Sequence, residues 1–106
     1  MTRKIYEVVN ESLPLRSTPN SGKDNVIQAF HHGLLVERLS KGTFDDENLG
    51  SGIVFITVKV SDEVEGYMAL YREAVDDSTE ENSEDDIVEH YLLRTISARV
   101  AQKVLH

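Results

Sequence analysis

Ile53-Val54-Phe55-Ile56-Thr57-Val58-Lys59-Val60 is the stretch that decides the fold class. Seven of these eight residues are β-branched or aromatic, side chains that suit a pleated, half-buried surface and lose rotamer freedom in a helix. Polar Ser40 to Gly52 precedes it and reads as a long hairpin loop around Asp45-Asp46-Glu47-Asn48. After the Ser61–Glu65 connection, Gly66 to Tyr71 starts a last short strand, or a 3₁₀ turn leading into one, that ends near Val75. On the N-terminal side, Leu34–Leu39, Val26–Phe30 and Ile5–Val9 have strand composition. His31-His32-Gly33 is a tight turn, and Ser17 to Asn25 is a loop on its Ser, Pro, Asn and Gly content. Five short strands within about seventy residues, with no helical period between them, predict a small β-barrel.

The chain of 106 residues has room for one domain and an appendage. It lacks cysteine, which excludes disulfides, thiolate nucleophiles and thiolate metal sites. No apolar run reaches the roughly 20 residues of a membrane helix. Met1 to Tyr6 leads directly into a charged segment without the apolar core of a signal peptide, so a cytoplasmic location is expected. The net charge of -8 has one source. Residues 76–89 hold eight acids and no Lys or Arg, which leaves 11 acids and 11 bases elsewhere.

Asp76 to Asn82 has no apolar residue and reads as an acidic linker over 76–82. From Ser83 the spacing predicts a helix over 83–106. Acids fill its first turn, and Arg94, Arg99 and Lys103 follow, which suits the helix dipole. Tyr91, Leu92, Ile96, Val100 and Val104 recur at steps of one to four residues as an apolar stripe. That stripe is expected to serve assembly, either against the barrel or as a homodimer contact.

Four landmarks in order resemble the bacterial SH3 (SH3b) family over residues 5–75. They are Leu13-Pro14-Leu15-Arg16-Ser17-Thr18-Pro19, then Val26-Ile27 with His31-His32-Gly33 and Leu35 to Leu39, then Phe55 to Val60, and last Gly66-Tyr67-Met68 with Tyr71. Phe55 stands where the family has Trp, Pro14 where it has Asn, and Thr18 where it has Gly. The resemblance implies an SH3-like β-barrel that binds peptides through surface aromatics. With the predicted helix, the expected fold is mainly β: a small SH3-like barrel over 5–75 followed by a C-terminal α-helix. Tyr6, Arg16, Phe55, Tyr67 and Tyr71 are the expected binding residues, with Arg16 acting chiefly as a loop clamp and the tyrosines lining a groove.

Catalytic and metal patterns are missing from the sequence. His31, His32, His90 and His106 include no pair at helical metal spacing. The Asp45 to Asn48 run has Leu49 and Ile56 where a calcium loop needs ligands. No phosphate loop or nucleophile elbow occurs. The expected function is therefore a non-enzymatic module that binds a peptide or protein partner, without cofactor, metal, direct nucleic-acid contact or membrane. Two other readings compete with it: a small acidic inhibitor or regulator, phage-encoded for instance, whose segment 76–89 mimics phosphate, and a wall-binding domain cut from a larger hydrolase.

Overall fold

The computed structural model of the chain describes residues 4–74 and 87–94. Its regular elements are nine strands: β1 (Ile5–Val8), β2 (Ser12–Arg16), β3 (Val26–His31), β4 (Leu35–Arg38), β5 (Phe44–Asp45), β6 (Ile53–Ser61), β7 (Val64–Glu73), β8 (Ile87–His90) and β9 (Leu92–Arg94). They make one antiparallel sheet in the order β3-β2-β7-β6-β4-β1-β9, with β5 added to β6 and β8 to β7. The outermost strands of this path are β3 and β9.

That arrangement overturns the expected fold class, an SH3-like barrel with a C-terminal helix. The strands form an open sheet, and the described residues contain no helix. Tyr91 and Leu92, assigned above to a helix stripe, lie instead at a bend and in a strand. The remaining stripe residues, Ile96, Val100 and Val104, lie outside the described residues, as does the linker 76–82. The reason for the correction is tertiary pairing. Ile87↔Glu73, Glu89↔Arg72 and His90↔Tyr71 complete an edge of β7, while Leu92↔Val8, Leu93↔Glu7 and Arg94↔Tyr6 complete β1. Two open strand edges satisfy the backbone groups of 87–94, and that pairing overrides the apolar spacing that predicts a helix. The segment also runs from β7 to β1, which are separated by β6 and β4 in the sheet path, so the sheet must curl to bring them within its reach.

The core follows the period-two alternation of strands. Leu13 and Leu15 on β2, Tyr6 and Val8 on β1, and Val54, Ile56 and Val58 on β6 are buried together with Val36, Met68 and Leu92. Phe55 points to the opposite face from Ile56, yet it is only 1% exposed. It pairs across the hairpin with Ala69, beside an irregularity between Val54 and Phe55. The β2 strand and Tyr91 wall in that face. Gly66 allows the wall to approach. A Cβ there would lie 2.6 Å from the Arg16 carbonyl oxygen and 3.0 Å from Leu15 Cγ. The turn after β3 needs its glycine too, since Gly33 has a φ of 99° and donates its N–H to the Val8 carbonyl at 2.8 Å.

Strand β2 and the two-residue β5 escape a reading by composition. Pro14 argues against a central strand because it cannot donate a ladder bond. Here the Ser17 N–H turns to the Asn25 carbonyl (2.9 Å), so alternation turns the Pro14 position toward β7. At that level β2 has no pair on β7, its one registered partner there being Tyr67 opposite Arg16. The missing N–H is therefore not missed.

Candidate functional site

The two polar loops of the sequence meet and hold each other. Asp46, only 5% exposed, is the centre of the contact. Its Oδ1 accepts from the backbone N–H of Ser21 (3.0 Å) and of Asn48 (2.9 Å), and its Oδ2 accepts from the Ser51 hydroxyl (2.6 Å). Burial alone would raise the Asp46 carboxyl, but the hydrogen bonds from Ser51, Ser21 and Asn48 together outweigh it and hold the group below the usual carboxylate range. Glu47 N–H adds a bond to the Pro19 carbonyl at 2.9 Å. Within the first loop, Arg16 Nη1 donates to the Gly22 carbonyl and to Asn25 Oδ1. Asn25 Nδ2 in turn reaches the Asn20 carbonyl at 2.7 Å and the Thr18 hydroxyl at 2.8 Å. Burial pulls the Arg16 guanidinium down, and the charge of Asp46 opposes that shift.

Beside this latch, β7 changes partners. It meets β2 at Tyr67, and three residues later Leu70 accepts the N–H of Tyr91 (3.1 Å), at the start of the β8 contact. The two strands diverge between these points and leave a slot of about 120 Å³. Phe55 and Ala69 form its apolar base, with Leu13, Pro14 and Ile53 around them. Asn10, Ser12, Ser21 and Arg16 supply polar groups, and Tyr91 closes the β8 side. The Tyr91 hydroxyl donates to Glu89 Oε2 (3.1 Å), which also accepts from Arg72 Nε at 3.3 Å. Burial pushes the Tyr91 phenol up, and its bond to Glu89 adds to the shift, so the ring stays protonated and anchored. An apolar base with a few polar groups around it is the usual construction of a small binding site.

The residues expected from sequence distribute unevenly. Arg16 and Phe55 come together in the slot, and Tyr91, expected in the assembly stripe, joins them. Arg16 also clamps its loop, as expected. Tyr6 is elsewhere and buried; its hydroxyl accepts from Arg38 Nη1 (2.9 Å), whose guanidinium carbon lies 5.8 Å from the ring centroid. Tyr67 packs edge-on against Phe44, with ring centroids 5.2 Å apart. Tyr71 is half-buried opposite Val54, its phenol pushed up first by burial and then by Glu73. Thus no single groove gathers the tyrosines. Of the acid run, Glu89 is bound to Arg72 and Tyr91, and residues 76–86 lie outside the described residues.

Sequence reading missed Asp46, Asn25 and Ala69. Asp46 carried one usable signal: Asp followed two residues on by Asn48 is the spacing of an Asx turn, which the structure forms. Ala69 carried none, because its importance is the space above it. Among the described residues no cluster of three or more His, Cys, Asp or Glu is placed to hold a metal ion. No helix among them is long and apolar enough to cross a membrane. The chain matches no family model, no curated protein and no solved structure.

Proposed function

We propose that this chain is a non-enzymatic interaction module that holds an extended segment of a peptide or protein partner at the slot between β2 and β8. The observation behind the reading is the divergence of the two strands over Ala69, which leaves an apolar base beside loops already fixed by the Asp46 latch. A preformed rim loses little conformational entropy on binding, which favours recognition by a small surface. The proposal rests on the slot and not on the sequence landmarks shared with the bacterial SH3 family, whose barrel the open sheet does not form.

Selection from a random peptide library on the immobilised full chain tests it. Peptides retained by the native chain and lost on Ala69→Leu, which fills the slot, are the expected result. If nothing is enriched, or if Ala69→Leu retains the same peptides with an unchanged fold, the slot is not the binding site.

A further inference from the structure

We infer that the outer edge of β3 is a self-association surface, to which a second copy of this chain adds its own β3 antiparallel and so continues the sheet. Strand β3 ends the strand path, and among the described residues only β2 pairs with it. The Ser17 N–H donates to the Asn25 carbonyl on the β3 side at 2.9 Å, so alternation along β2 gives Leu15 and Leu13 the ladder bonds to β3. Their partners Gln28 and Phe30 face β2, and Ala29 between them turns its N–H and carbonyl outward. The register irregularity of this pair lies beyond Leu15, which leaves Gln28 to His31 regular. Such an edge is a template for another strand unless charge, proline or a bulge guards it. Val26-Ile27-Gln28-Ala29-Phe30-His31 holds no Lys, Arg, Asp, Glu or Pro, and Val26 and Ile27 are 43% and 51% exposed. The opposite edge, β9, is only three residues long and carries Arg94.

Charge selects the occupant. A strand without charged residues meets no like charge when it faces its own copy, although each chain carries a net charge of -8. The flanks set the direction. Lys23 and Asp24 stand exposed before β3, and His31 and His32 stand exposed at its end. Two-fold antiparallel pairing takes Asp24 of each copy toward the histidines of the other. A parallel approach would set Asp24 beside Asp24 and Lys23 beside Lys23. The two-fold arrangement also occupies β3 of both copies, so this contact closes at a dimer. A strand of this length spans about 20 Å, and pairing along it buries less than the roughly 1,200–2,000 Å² of a stable interface. The dimer is therefore a weak one, populated at hundreds of micromolar protein. Strand β2 separates this edge from β7 and the slot, so the inference stands apart from the slot reading.

Sedimentation equilibrium of the full chain, from micromolar to millimolar concentration, measures the association, and ¹⁵N spectra over the same range locate it. A monomer–dimer equilibrium is expected, with the Ala29 amide shifting as concentration rises and the β9 amides still. Gln28 is exposed and lies near the centre of the paired strand, so its substitution leaves the core alone. Gln28→Lys and Gln28→Glu should each weaken dimerisation about fivefold, the effect of like charges facing across a strand pair. Mixed in equal amounts, the two variants should recover the association that each has lost, and circular dichroism checks that each is folded. A native chain that stays monomeric at millimolar concentration overturns the inference. So does undiminished dimerisation of both variants, a mixture without recovery, or concentration-dependent shifts at Leu93 and Arg94 instead of Ala29. A monomeric chain whose Ala29 amide responds to library peptides assigns the edge to a foreign strand and overturns the second copy. None of these results bears on peptides that depend on Ala69, which test the slot reading separately.

Discussion

The apolar centre of the sheet and the latch between loops 17–25 and 45–52 are held by opposite means. In the centre, Val8, Leu15, Val36, Ile56, Val58 and Met68 are at most 1% exposed, and nondirectional burial keeps them there. In the latch, one carboxylate accepts from two backbone N–H groups and a hydroxyl, while Asn25 and Arg16 tie the adjoining loop to itself. Apolar packing tolerates exchange of one hydrophobe for another of similar volume. A hydrogen-bonded latch tolerates little, because each donor needs its acceptor at one place. Loops built from Ser, Asn and Asp can therefore be as ordered as strands when a buried acceptor collects their N–H groups.

Substitutions should separate the two regions. The largest loss is expected for Ile56→Ala, which opens a cavity among fully buried neighbours and should cost about 2–5 kcal/mol in urea unfolding. A cost below ~1 kcal/mol would mean that the centre is loosely packed.

Gly66→Ala acts where the two regions join. Its new methyl group would meet the Arg16 carbonyl, a backbone atom that cannot swing aside. Separation of β2 from β7 should cost about 1–3 kcal/mol. Hydrogen exchange should accelerate around Arg16 and Tyr67 before it does at Ile56.

Asp46→Ala leaves the Ser21 and Asn48 N–H groups and the Ser51 hydroxyl without their acceptor, a loss of about 1–3 kcal/mol. Its effect should concentrate in the loops, read by amide exchange at Ser21 and Asn48. The pH dependence has a definite sign. The folded Asp46 carboxyl lies below its unfolded value of roughly 4, so its contribution is present above that value and is lost as pH falls through the lower, folded one. Asp46→Asn should flatten that part of the stability curve. An unchanged acid limb would show that Asp46 is not held down by the latch.

The smallest effect belongs to Glu89→Gln. Its ion pair with Arg72 is about 40% exposed on both sides, with side-chain accessibilities of 44% and 42%. Such pairs contribute under ~1 kcal/mol, so the melting temperature should scarcely move and the residual change should shrink in salt. A larger loss would mean that the Tyr91 hydroxyl, which also uses Glu89, fixes the β8 wall of the slot.

By itself the sequence determined that the chain is rich in β-structure, where β6 and its neighbours run, where the two polar loops fall, and that Arg16 would clamp one of them. These follow from local chemistry: β-branched runs, turn residues and a long guanidinium stem beside a carbonyl-rich loop. Tertiary structure alone decided three other things. It made strands of 87–94, because the edges of β7 and β1 offer partners that a three-to-four spacing of apolar residues cannot reveal. It buried Asp46, whose neighbours Ser21 and Ser51 come from both sides along the chain. It also assembled the slot from Arg16, Phe55, Ala69 and Tyr91, spread over 76 positions of sequence, by parting β2 from β8 above β7. Periodicity records which face of an element is apolar. Which neighbour that face meets, and where two neighbours fail to meet, depends on pairings that only the folded chain contains.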